Sequence, residues 1–152
     1  LGADVPFCLL GGAARCRGVG EHVTPLPTAG GVHAVVVFDG LAADTGEMYR
    51  RLDAFIGARP AHDHDAAVRA VAAGDPRAIA AALSNDFDAL TSSPLAELLR
   101  THGALGAMLT GSGSAAFGIF ADAAAAEACT AVLGGCVQFA RHVVLHSKES
   151  ET

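Results

Sequence analysis

The chain has 152 residues, room for one domain that buries about 70% of its unfolded surface. Its 51% apolar content owes more to alanine than to aromatics, with one tyrosine and no tryptophan, and no apolar run approaches the ~20 residues of a membrane span. Ten basic residues against sixteen acidic ones leave a net charge of -6, so the basic stripe that neutralises a nucleic-acid backbone is missing and the chain reads as a soluble protein without a nucleic-acid partner.

Cys8, Cys16, Cys129 and Cys136 form no C-x-x-C pair and stand in apolar or Gly-rich stretches. The expectation is four buried, reduced, structural thiols of a cytoplasmic protein. The first residue is Leu1, and neither a basic n-region nor a cleavage-like site follows. The chain reads as starting inside a longer protein.

In chain order, "VPFCLLGGAARC" and "RGVGEHVTPLP" read as two short strands around a turn. "VHAVVVFDG", residues 32–40, is a β-branched run ended by Asp-Gly and predicts a buried strand. Thr45 is placed to cap a helix that runs to about residue 56, with Met48, Leu52 and Phe55 at helical spacing and Glu47 in its first turn. "GARPAHDHD" predicts a loop with solvated His62 and His64, followed by short helices at 66–73 and 77–83 on either side of Gly74-Asp75-Pro76. A helix at 94–101, strands at 107–110 and 116–121, a helix at 122–133 and a last strand at 139–145 complete the pattern. The order predicts an α+β fold, an antiparallel sheet with helices on one face.

The small-residue loop in "MLTGSGSAAFGIF" invites comparison with nucleotide loops. Gly111-x-Gly113-x-x-Ala116 matches the spacing of the dinucleotide fingerprint, but that motif opens a helix and this loop leads into a strand. A Walker loop needs Lys-Ser/Thr where Ile119 and Phe120 stand, and the G-x-S-x-G elbow is absent. What remains is a strand-loop-strand turn, either a plain hairpin or one whose exposed backbone lets a ligand approach closely.

Four ordered blocks carry a resemblance. "LGADVPF" with the following Gly pair, "GVGEHVTPLP", "NDF" (residues 85–87) and "GALGAMLTGSGSAAFGIF" resemble the motifs of 4-diphosphocytidyl-2-C-methyl-D-erythritol kinases, members of the galactokinase, homoserine, mevalonate and phosphomevalonate kinase superfamily. The resemblance implies a ferredoxin-like C-terminal kinase domain at residues 29–147, preceded at 1–28 by the end of a nucleotide-binding domain and followed by a polar tail at 148–152. It also implies ATP with Mg2+, and phosphorylation of the 2-hydroxyl of the cytidyl-linked methylerythritol in non-mevalonate isoprenoid synthesis. The lysine and the Gly-Gly-Gly-Ser-Ser loop that such kinases carry in their first half have no counterpart here, where Lys148 is the single lysine. The chain thus reads as the second half of such an enzyme, inactive alone.

By the same resemblance, Asp4 is the catalytic residue that accepts or orients the substrate hydroxyl proton. A positioned carboxylate contributes ~10²–10⁴-fold as a general base. Tyr49 stands where the family places an aromatic ring on cytosine, and it is otherwise an amphipathic ring packed beside Leu52. Thr45 is a substrate contact or a helix cap. Gly111, Ser112, Gly113 and Ser114 form the third motif, with Ser114 where relatives often carry proline. Two other readings stay open, a non-catalytic substrate-binding fragment and a superfamily kinase for another small alcohol.

Overall fold

In the computed structural model of the protein, residues 4–28, 30–41, 43–58 and 61–145 are described. The polar tail expected at 148–152 lies outside the described residues.

The first apolar run is a helix, α1 (Val5–Leu10), and not the strand its composition suggests. Pro6 in the first turn has φ preset for a helix and no N–H to lose there, and Gly11, at φ +67°, ends the helix. None of the residues of α1 is buried. Of the two strands expected here, the first is confined to the end of its run as β1 (Ala13–Arg17), and it pairs with β2 (His22–Leu26) in an antiparallel hairpin in register from Ala13 opposite Leu26 to Arg17 opposite His22. Its turn uses Gly18 at φ +69° and Gly20 at φ +100°, and the Val19 N–H donates to the Glu21 carboxylate at 2.6 Å.

The core is built on β3 (Val32–Phe38), an inner strand of an antiparallel sheet ordered β4-β5-β3-β6, where β4 is Gly106–Leu109, β5 is Ala115–Phe120 and β6 is Phe139–Leu145. Val35 pairs with Gly118 on one side and His142 on the other. Val35 and Val37 point to one face and Val32 and Ala34 to the other, and all four are buried. Burial on both faces explains a run of β-branched residues without polar alternation.

On the first face lie α5 (Pro94–Thr101) and α6 (Ala123–Leu133). Leu95, Ala96, Leu99, Ala126, Cys129 and Leu133 pack there against Val35, Val37, Ala116 and Phe120. Both helices start on side-chain caps: Ser93 accepts from the Ala96 N–H at 3.1 Å and Asp122 from the Ala125 N–H at 2.9 Å. Gly118 lets α5 approach, since a Cβ there would stand 2.9 Å from the Ala104 Cβ and 3.3 Å from the Leu99 Cβ.

The α+β class is the expected one, but the helical cover is not confined to one face. On the opposite face α3 (His64–Ala73) and α4 (Pro76–Ala82) place Ala70 and Ile79 against Val32, Ala34 and Ile119. Their alanine-rich surfaces bring a second layer close: at Gly106 a Cβ would stand 2.7 Å from the Ala80 carbonyl oxygen.

The helix α2 (Thr45–Ala54) starts one residue away from the expected cap. Asp44 is the N-cap and accepts from the Glu47 N–H at 2.9 Å, leaving Thr45 as the first helical residue with its hydroxyl available elsewhere. The cysteines also depart from expectation. Cys129 alone is buried, while Cys8, Cys16 and Cys136 are exposed free thiols.

Candidate functional site

The bare turn between β4 and β5 holds itself with few bonds. The Thr110 N–H donates to the Ala115 carbonyl at 3.0 Å, and the Gly113 N–H donates back to the Thr110 carbonyl at 3.0 Å. Gly111 at φ +53° and Gly113 at φ +100° occupy backbone conformations that side chains disfavour. At Gly111 nothing stands within 4 Å of where a Cβ would be, so the backbone is open to close approach there.

Two other elements hold this turn. The Asn85 amide donates to the Gly111 carbonyl at 2.8 Å and the Leu109 carbonyl at 3.2 Å, while its own oxygen accepts from the Phe87 N–H at 3.0 Å. At the tip, Ser112 Oγ lies 3.0 Å from Thr45 Oγ1. The third-motif loop, the "NDF" segment and the start of α2 are thus one hydrogen-bonded unit.

Tyr49 is one helical turn beyond Thr45. Its ring meets buried Phe87 edge to face, with centroids 5.2 Å apart and planes at 82°, and the residue is 55% exposed. It therefore packs on an aromatic neighbour with an outer surface left for a second ring. An open groove of about 490 Å³ runs alongside, lined by Tyr49, Leu52, His62, Asn85, Phe87 and Met108 among others. Leu52 shares this groove, so the stacking and packing roles of Tyr49 are compatible.

Asp4 sits at the N-cap of α1, exposed, with a side chain that makes no capping bond. Among the described residues no hydrogen bond links it to the turn. The structure brings Thr45, Tyr49, Gly111, Ser112 and Gly113 together, with Ser114 completing the turn, and leaves Asp4 outside that network.

Sequence reasoning missed the parts played by Phe87 and His62. His62 is not solvated: its side chain is 18% exposed and its Nε2 bonds to Asp86 Oδ1, while its Nδ1 is buried without a hydrogen-bond partner. His64 next to it is exposed, as expected. The only forward signal was "NDF", since Asn85 opens a short 3-10 turn, Asp86–Ala89, that the helix rules do not reach. Asp88 in that turn has its carboxyl pushed up by partial burial, an effect that outweighs the pull of Arg100. Among the described residues no group of three or more His, Cys, Asp or Glu side chains could hold a metal ion.

Residues 67–135 match the model of the family described as GHMP kinases C terminal. A crystal structure of a 4-(cytidine 5'-diphospho)-2C-methyl-D-erythritol kinase superposes with a TM-score of 0.76 and 32% identity, over 97% of this chain and 55% of that one. The fold is that of a GHMP kinase C-terminal domain. The 4-diphosphocytidyl-2-C-methyl-D-erythritol kinase of Gloeobacter violaceus is 41% identical over 89% of this chain and 48% of its own length. The kinase of the same name from Caldicellulosiruptor saccharolyticus is 39% identical over 80% of this chain and 44% of its own. The chain therefore spans less than half the length of those curated relatives. The L. major mevalonate kinase in complex with R-mevalonate shares the fold, with a TM-score of 0.67 at 20% identity.

Proposed function

We propose that this chain is the substrate-side half of an ATP-dependent kinase that phosphorylates the 2-hydroxyl of 4-diphosphocytidyl-2-C-methyl-D-erythritol, in non-mevalonate isoprenoid synthesis in the cytoplasm. The observation that carries the reading is the hydrogen-bonded unit of Thr45, Ser112 and Asn85 beside an exposed Tyr49, in a chain 41% identical to a kinase of that name. In this reading residues 1–28 end a nucleotide-binding half and 29–147 form the substrate-side domain. An α1 that buries none of its residues, and a two-stranded sheet separate from the main one, support that division.

Asp4 then accepts the proton of the 2-hydroxyl as that oxygen takes the γ-phosphoryl group and ADP leaves. An exposed carboxylate with no capping bond is available for this work. Tyr49, braced by Phe87, stacks its outer face on cytosine, and such stacking is worth about 1–3 kcal/mol per base. Gly111, Ser112, Gly113 and Ser114 give backbone contacts at close range, and Thr45 fixes the tip. Mg2+ and the ATP phosphates belong to the other half of the site. The described residues of this chain assemble no metal-holding cluster, so no step through the metal is assigned to them.

The test is kinetic, on the complete enzyme. Asp4→Asn lowers kcat by about 10²-fold or more with little change in KM, and near-normal kcat removes Asp4 from the chemistry. Tyr49→Ala raises KM for the cytidyl alcohol about tenfold, and an unchanged KM leaves the ring a packing role.

A further inference from the structure

We infer that His62 is a positioning residue of this site: its bond to Asp86 clamps the tripeptide from which Asn85 holds the glycine-rich turn and Phe87 braces Tyr49. The inference rests on the proposed function for what the site binds, but not for the clamp itself.

The geometry converges on one short segment. Asn85 reaches the carbonyls of Leu109 and Gly111, so the position of its backbone sets where the turn lies. Phe87, two residues on, is 5% exposed and meets the Tyr49 ring, so its backbone sets where the stacking surface lies. Asp86 stands between them, and its carboxylate is bound by His62 from the segment that joins α2 to α3. A shift of Asp86 moves both neighbours, because the three share a continuous backbone.

The imidazole is kept at a cost. Its Nδ1 is buried with no partner, and an unsatisfied buried acceptor or donor is unfavourable. In a groove wall that also contains Leu52, Phe87 and Met108, a leucine at this position would avoid that cost and forfeit the bond to Asp86. A hydrogen bond to a carboxylate is directional, whereas apolar packing is not, so the histidine defines the height of Asp86 in a way leucine cannot.

The experiment compares wild type, His62→Leu, His62→Gln and Tyr49→Phe in the complete protein. Glutamine keeps a donor at the reach of Nε2 and leucine removes it. His62→Leu raises KM for the cytidyl alcohol about tenfold while kcat and KM for ATP change by less than about twofold, and His62→Gln returns KM to within about twofold of wild type. Independently of activity, the protein is labelled with 3-fluorotyrosine and the Tyr49 resonance is assigned from its loss in Tyr49→Phe. His62→Leu shifts or broadens this fluorine resonance, and His62→Gln restores it, with the thermal midpoint held within a few degrees. A folded His62→Leu variant with normal KM and an unmoved resonance overturns the inference. So does an equal loss in His62→Gln and His62→Leu, which makes the ring's shape and not its bond the active feature. If the wild-type protein does not phosphorylate the cytidyl alcohol, the proposed function falls and the fluorine spectrum still decides the role of His62.

Discussion

Thr45 Oγ1 lies 3.0 Å from Ser112 Oγ, so the first residue of α2 is tied to the tip of the turn between β4 and β5. The tie is possible because Asp44 takes the capping role and frees the threonine hydroxyl. Two elements 67 residues apart in sequence are thereby held in register around the groove beside Tyr49.

This pair gives a prediction on stability. Both hydroxyls are exposed, which sets their bond at the low end of the ~0.5–1.5 kcal/mol typical of a net hydrogen bond. Thr45→Val and Ser112→Ala each lower stability by less than about 1 kcal/mol, and the double variant loses about 0.5 kcal/mol less than their sum. Urea denaturation of the four proteins measures the coupling. Strict additivity would mean that the two hydroxyls do not bond in solution.

Asp88 predicts a pH dependence of opposite sign to that of a salt-bridged carboxylate. Burial raises its folded-state value above the ordinary one, and Arg100 offsets this only in part. Below the ordinary carboxylate range Asp88 is protonated folded and unfolded alike. As pH rises through that range the unfolded chain releases its proton first, and stability falls until pH has passed the raised folded value. Asp88→Asn removes this loss, so the variant gains on wild type as pH rises from about 3 through the ordinary carboxylate range in chemical denaturation. A gap between the two proteins that stays constant over this range would contradict the assignment.

Thiol chemistry separates the cysteines. Cys129 lies on the face of α6 that packs against the sheet, and burial there pushes its thiol up, so little thiolate forms and reagents cannot reach it. In the native chain iodoacetamide modifies Cys8, Cys16 and Cys136 and spares Cys129 until denaturant is added, as peptide mass mapping would show. Early modification of Cys129 would place it outside the core.

How much of this was legible in the chain depended on whether the deciding interaction was local. Pro94–Thr101 and Phe139–Leu145 occur at their expected bounds, since Ser93-Pro94 is a local helix start and the last strand has a β-branched pattern of its own. The first apolar run departs from the expected strand because Pro6, in the turn that follows Asp4, favours a helix start that apolar composition does not reveal. The cap expected at Thr45 falls one residue earlier, on Asp44, whose carboxylate reaches the Glu47 N–H and takes the role from its neighbour. His62 was beyond reach for a different reason. Its burial is set by Asp86, 24 residues away, and no periodicity encodes a single pair at that distance. The site was visible as motifs, but the way Asn85 joins them was not.

The proposed function requires this α+β fold to present a surface for a cytidyl-linked alcohol. The most direct measurement is ATP-dependent phosphorylation by the complete protein, comparing 4-diphosphocytidyl-2-C-methyl-D-erythritol with the same alcohol lacking the cytidyl group. The expected kcat/KM is at least about tenfold higher for the cytidyl-linked alcohol, an advantage that Tyr49→Ala largely removes. Equal kcat/KM for the two alcohols, unchanged in Tyr49→Ala, would contradict it.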